Sequence, residues 1–210
     1  MKKNHIYWDL LSPIIIQSIR QRFGKDYADM VIADGKKEYD QLTENAPDLG
    51  RGNSMASNAY FAYVSVGAWL ATDKKLRPQE IAVVMTDVLA KMKPFFSLID
   101  LNKNPKYWDR SMKKYAKWYD RGNGEKYPET WQVHFDENLH KDGGYYYFTS
   151  CPICSYLTGI GLGEIMKPLC ETDSVMFAYQ HGILHREHTI ASGSDICDYW
   201  VVGDKVKDPQ

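Results

Sequence analysis

The residues able to do chemistry gather in the last third of this 210-residue chain: Cys151, Cys154, Cys170 and Cys197, with Asp173, Arg186, His188 and Thr189 between the last two thiols. Three chemistries fit four cysteines. Zinc is bound by two close-spaced ligand pairs, and Cys151-x-x-Cys154 supplies one, but Cys170 and Cys197 are far apart in the chain. A thioredoxin-like dithiol wants its CxxC at a strand-to-helix junction inside a parallel βαβ unit; the junction is readable here and the crossover is not. The third reading is a set of buried thiols with a nucleophile among them, since free cysteine is among the most buried residue types.

Position separates Cys151 from the others. It stands where a predicted strand meets a helix opened by Pro152, and the unpaired amides and dipole of a helix N-terminus favour a thiolate. Cys170 and Asp173 are three apart on a predicted helix and so share a face. Period-two alternation along Leu184 to Ser192 puts Leu184, Arg186, His188 and Ile190 on one face of a strand, with His185, Glu187 and Thr189 on the other. An arginine beside Leu and Ile is either an edge cation or a buried guanidinium that needs an acid or an anionic ligand. His188 is then a reserve general base or an ordinary surface or core histidine.

The elements that must position these groups divide the chain in two. Apolar residues at three- and four-residue spacing predict helices from Ile6 to about Phe23, Asp26 to about Leu42, Ser54 or Ser57 through Ala71, Arg77-Pro78 onward through Met92, and Pro105 to about Tyr119. The third is apolar on all sides and is expected to be central, with Ser54 or Ser57 as its cap. Tyr60, Tyr63, Trp69, Trp108, Tyr115, Trp118 and Tyr119 could wall a pocket, or simply pack the core or an interface. After Gly122-Asn123-Gly124 the period changes to two. Strands are expected at Trp131–Phe135 and Tyr145–Ser150, a short helix to Thr158, a longer one from Pro168 to Tyr179, and a hairpin of Leu184–Ser192 with Ile196–Val202. The prediction is a single α+β domain over 1–210: a helical part over about 5–122 packed on a small antiparallel sheet of ββααββ order over about 128–204.

Phe148-Thr149-Ser150-Cys151-Pro152, Cys170-Glu171-Thr172-Asp173, Arg186-Glu187-His188-Thr189-Ile190, Gly193 and Cys197-Asp198-Tyr199 together resemble the C-terminal signature of the L-2-amino-thiazoline-4-carboxylic acid hydrolase family. That pattern runs Cys-Pro, Cys-x-x-Asp, Arg-x-x-Thr, Gly, Cys-Asp-aromatic. Asn53 to Leu89 is similar to the family's helical half, and Cys154 stands outside the pattern. The resemblance implies ring opening of 2-amino-thiazoline-4-carboxylate to N-carbamoyl-cysteine, a hydrolysis assigned to a non-peptide C–N bond. Such a site needs a nucleophile, an acid for the departing thiolate, an anion for the amidinium and a cation for the carboxylate. On that reading Cys151 is nucleophile or acid–base thiol, Asp173 the amidinium partner and possible base, and Arg186 a bidentate carboxylate clamp. Cys170, Thr189 and Cys197 line the pocket with His188 in reserve, Thr189 orienting a water only if a bulge reverses the alternation. No cofactor and no metal is called for. The C-terminal part also resembles small-ligand-binding domains of the 4-vinyl reductase type, so a non-catalytic binder or sensor is the alternative, and a Cys-ligated zinc protein the next.

Composition narrows the partners. With 44% hydrophobic and 25% charged residues the chain is an ordinary globular one, and 26 basic against 27 acidic residues, net −1, give no electrostatic footprint for nucleic acid. No apolar run reaches the roughly 18 residues of a membrane span. Met1-Lys2-Lys3 resembles a signal n-region, but His5, Asp9, Pro13, Gln17 and Arg20 interrupt any h-region. The expectation is a cytoplasmic protein with reduced thiols and a small-molecule substrate, with no nucleic acid and no membrane as partner. Nothing in the sequence signals an oligomeric state.

Overall fold

The structure, a computed structural model, describes residues 4–210, so the basic Met1-Lys2-Lys3 start lies outside the described residues. Five long helices come first: α1 (His5–Phe23), α2 (Lys25–Asn45), α3 (Ala56–Ala71), α4 (Pro78–Phe96) and α5 (Tyr107–Trp118). Their ends follow local chemistry. The Asn4 side chain accepts from the Ile6 amide at 3.3 Å to open α1, and Gly24, at φ +105°, closes it. Pro78 occupies the first turn of α4, where Glu80 Oε2 accepts from the Arg77 amide at 2.6 Å.

Helix α3 is central, as its all-round apolarity predicts: every residue from Tyr63 to Trp69 is buried. It approaches α2 so closely that a Cβ on Gly67 would lie 2.9 Å from the Tyr39 backbone nitrogen. The expected serine cap is not used. Met55 precedes the helix, and Asn53 organises its start, accepting from the Met55 amide at 2.8 Å and donating to Leu49 O at 2.7 Å and Thr130 Oγ1 at 2.9 Å.

A kinked turn over Tyr119–Asn123 and a single helical turn, α6 (Gly124–Lys126), lead to the sheet. The remaining elements are β1 (Gln132–His134), β2 (Gly144–Ser150), α7 (Pro152–Gly159), α8 (Met166–Glu171), α9 (Asp173–Tyr179), β3 (Gly182–His185) and β4 (Cys197–Gly203). The four strands are antiparallel in the order β1-β2-β4-β3, an α+β fold with its strands near the C-terminus. Phe148 pairs with Cys197, Tyr146 with Tyr199 and Tyr145 with Trp200. Alternation therefore turns Tyr146, Phe148, Cys197 and Val201 into the core and sets Tyr145, Tyr147, Asp198 and Trp200 on the other face. One hydrophobic cluster runs from Trp8, Tyr39 and Trp69 of the helices to Phe148, Leu157 and Cys197.

Two predicted elements differ. The long helix from Pro168 breaks at Thr172, whose hydroxyl donates to Leu169 O at 2.6 Å and competes with the helical ladder. The strand predicted through Ser192 stops at His185. Beyond it the Asp198 carboxylate accepts from the Glu187 amide at 3.2 Å and the His188 amide at 2.7 Å, where ladder bonds would have continued. Thr189 then caps a 3₁₀ turn, Ile190–Ser192, and Gly193 leaves it at φ +90°, a conformation that explains a glycine at that place in the signature. Among the described residues, no helix is long and apolar enough to cross a membrane.

Candidate functional site

The inner sheet face, the α7 start and the α8–α9 break converge. Because β3 ends at His185, Arg186 leaves the sheet and turns under α8 and α9, its side chain 9% exposed. Its Nη1 donates to Asp173 Oδ2 at 2.8 Å and to Tyr199 Oη at 3.2 Å, and its Nη2 donates to the Cys170 carbonyl at 2.5 Å. Tyr199 in turn donates to the same Asp173 oxygen at 2.8 Å, and the guanidinium lies 5.2 Å from the Tyr199 ring centre. Burial works against the Arg186 charge, but Tyr199 and Asp173 outweigh it and hold the guanidinium firmly protonated. Burial, then the Asp173 charge, likewise raises the Tyr199 phenol well above its ordinary value, so it is a neutral donor.

This geometry settles the two open readings of Arg186: it is a buried guanidinium whose acid is Asp173. Asp173, Tyr199 and the Cys170 carbonyl take three of its five N–H donors, and Arg186 also lines the groove described below. Asp173 contributes one oxygen, Oδ2, to this cluster and keeps about a third of its side chain exposed.

Three thiols lie within electrostatic reach of one another near that pair. Cys197, opposite Phe148 on the inner sheet face, accepts from the Ile190 amide at 3.1 Å. Cys170 sits on α8 within electrostatic reach of Asp173, Cys151, Arg186 and Cys197. Cys151 is the residue before α7, in an extended conformation; its side chain makes no capping hydrogen bond, and the amides of Ile153 and Cys154 act on it only by favouring its charged form. The sequence predicted a thiolate there. Burial overrides the helix end: it pushes the Cys151 thiol up to about 12, the two amides pulling back only part of the way. Burial, helped by Asp173, also raises Cys170, and burial raises Cys197 and Cys154. All four thiols are free and, at neutral pH, protonated. Cys154 is buried in the core beside Thr158.

A groove of about 300 Å³ opens against this cluster, lined by Lys167, Cys170, Ser174, Arg186, Thr189 and Ser192, with Leu184, Glu171 and Glu187 completing it. Cys170 is the thiol that reaches it. Thr189 is there too, but its hydroxyl bonds Ser192, donating to Ser192 Oγ at 2.9 Å and accepting from the Ser192 amide at 3.1 Å. His188 is exposed, 3.5 Å from Asp198, because the alternation that set it beside Arg186 ends with β3. The site thus gathers Cys151, Cys170, Cys197, Asp173 and Arg186, holds Thr189 at the groove and leaves His188 outside. Sequence reasoning missed Tyr199 as a partner, although its period-two relation to Cys197 puts both on the inner face. It also missed Asp198, which shapes the Arg186 segment through backbone amides that no side-chain pattern reveals. A larger groove of about 380 Å³ beside α5 contains none of these residues. Among the described residues no group of three His, Cys, Asp or Glu side chains is arranged to hold a metal ion.

A family model described as L-2-amino-thiazoline-4-carboxylic acid hydrolase matches residues 57–201. That span takes in α3 from its second residue and every residue of the cluster just described. In comparisons with curated proteins and with solved structures, nothing matches.

Proposed function

The chain belongs to the L-2-amino-thiazoline-4-carboxylic acid hydrolase family, and from that membership we propose that it is a hydrolase of a small cyclic amidine carboxylate, opening 2-amino-thiazoline-4-carboxylate to N-carbamoyl-cysteine. The observation that carries the reading is the buried Arg186–Asp173–Tyr199 cluster, with Arg186 and Cys170 lining a groove and Cys151 and Cys197 within electrostatic reach of Cys170. An anion held in place beside neutral sulfur suits a substrate that is cationic at its amidine and leaves as a thiol.

Conservation of atoms sharpens the reaction. The product keeps both nitrogens on the former amidine carbon, so the bond that opens is the ring carbon–sulfur bond; the carbon–nitrogen label describes the carbon attacked, not the bond lost. Cys151 sulfur attacks that carbon, the ring sulfur departs, and the proton of the Cys151 thiol ends on it. Water then adds to the resulting isothiourea carbon and expels Cys151 as its thiol, leaving the urea. Cys151 is the better nucleophile because the Ile153 and Cys154 amides favour negative charge on its sulfur, whereas Asp173 beside Cys170 disfavours a second negative charge. Cys170, kept protonated, is suited to relay that proton, handing its own to the departing sulfur as it takes the one from Cys151. Asp173 Oδ1 is the oxygen available to the amidinium, with Arg186 and Tyr199 orienting the carboxylate through Oδ2. The substrate carboxylate is met at the groove by Lys167 and by the N–H donors of Arg186 that Asp173, Tyr199 and Cys170 leave over. Cys197 walls the site. The protein acts on a small molecule and needs no cofactor for this chemistry, and four free thiols suit a reducing, cytoplasmic setting.

The test is to incubate the purified chain with 2-amino-thiazoline-4-carboxylate and follow thiol release with N-carbamoyl-cysteine identified by mass. Turnover is expected, falling by roughly a thousandfold or more in Cys151→Ala. Binding of the compound without thiol release would favour the binder or sensor reading, and unchanged turnover in Cys151→Ala with loss in Cys170→Ala would move the nucleophile to the groove thiol.

A further inference from the structure

The segment that follows Arg186 walls the groove and has spent most of its own amide donors. The Glu187 and His188 amides are taken by Asp198, and the Ile190 amide donates to Cys197 Sγ at 3.1 Å. The Gly193 amide donates to Ile190 O at 3.0 Å and the Ser194 amide to Thr189 O at 3.1 Å. The Ser192 amide is shared between Thr189 O at 3.0 Å and Thr189 Oγ1 at 3.1 Å. The 3₁₀ turn is therefore held by Cys197 on the sheet and by its own cap, Thr189.

The Ser192 hydroxyl is the exception. Its oxygen accepts the Thr189 hydroxyl proton at 2.9 Å, so its own proton points elsewhere, and among the described residues no acceptor takes it. The side chain lines the groove, and the turn that carries it packs on α8, where Lys167 lines the same groove. Lys167 makes no ion pair or side-chain hydrogen bond among the described residues either. A hydroxyl that already accepts one bond, an ammonium and the two unspent N–H groups of Arg186 are all donors, the set from which a planar carboxylate accepts. Glu171 and Glu187, exposed carboxylates on the same groove, oppose a purely anionic ligand and suit one that also carries a cation.

We propose that Ser192 is a substrate-binding residue whose hydroxyl donates to the substrate carboxylate beside Lys167, and that it selects ligands bearing that group. Thr189, by donating to the Ser192 oxygen, leaves the Ser192 proton for the groove. The inference deepens the proposed function and rests on its cyclic amidine carboxylate as the ligand class, but not on the ring opening or on the choice of reacting thiol.

The experiment measures binding apart from turnover. The full chain carrying Cys151→Ala, and the same chain with Ser192→Ala added, are checked by thermal melt and titrated by calorimetry with 2-amino-thiazoline-4-carboxylate and with 2-amino-thiazoline, which lacks the carboxylate. A hydrogen bond to a charged acceptor corresponds to roughly a ten- to hundredfold change in affinity, and in an open groove the lower end is expected. Ser192→Ala should weaken the carboxylate by about tenfold and leave the carboxylate-free ring within about twofold. Ser174→Ala, at the other serine of the groove, is the control and should stay within about twofold for both ligands. Equal affinity for the carboxylate with and without Ser192→Ala overturns the proposal, as does equal weakening of both ligands or a parent chain that does not bind the carboxylate. Thiol release by the wild type is followed separately. Binding that depends on Ser192 without thiol release refutes the hydrolase reading and leaves the Ser192 assignment standing, whereas release with a KM unchanged by Ser192→Ala refutes the assignment and leaves that reading intact.

Discussion

The two ends of the site are built on opposite principles. At the α8–α9 break, Arg186, Asp173 and Tyr199 satisfy one another and the Cys170 carbonyl, so the charges are paired before any ligand arrives. At the α7 start, Cys151 is neutral and makes no capping hydrogen bond, beside amides that favour a charge its thiol does not carry. A paired corner fixes geometry and stability; an unpaired one gives up stability for a charge that forms only during reaction. The difference teaches where each kind of substitution should act.

The largest effect is expected at the paired corner. Arg186→Met leaves Asp173 without its cation and should lower unfolding free energy by about 3 kcal/mol in urea denaturation, with Asp173→Asn adding little once the arginine is gone. Full additivity of the two would break the idea of a closed cluster. Tyr199→Phe removes one donor to Asp173 and should lower stability by about 1 kcal/mol in the same experiment. Cys151→Ala should change stability by less than about 1 kcal/mol while abolishing turnover, because the sulfur's chemistry is lost and its packing is largely kept. The smallest effect lies outside both corners. The Arg22 hydrogen bond, with Ser18 adding to it, holds the Asp87 carboxyl below its usual value where α1 meets α4. A carboxyl depressed by folding stabilises above its unfolded value and loses that contribution as pH falls through the folded one. Asp87→Asn should therefore lower the melting midpoint slightly at pH 7 and much less at pH 3.

The helices and the fold class were legible because period and caps are local. Tyr63 to Trp69 reads as central from its apolarity alone, and Pro78 with Glu80 marks α4 in four letters. The Arg186 segment was not legible, since the strand that alternation predicts there is undone by one side chain, Asp198, acting from β4 on two amides. Local periodicity carries no information about such a contact. The family-like signature placed the right residues near one another, yet their partners needed coordinates: Arg186 looks the same in sequence whether it awaits a substrate carboxylate or already holds Asp173. Cys151 shows the converse. Its helix-end position was readable, but the burial that keeps its thiol neutral comes from elements distant in the chain.

The most direct test of a thiol that stays neutral until it reacts is intact and site-resolved mass spectrometry of the chain quenched during turnover of 2-amino-thiazoline-4-carboxylate. A transient mass increase of one substrate molecule, located on Cys151 and lost as N-carbamoyl-cysteine appears, is the predicted result. Product formation with no adduct on Cys151, and undiminished in Cys151→Ala, would contradict it.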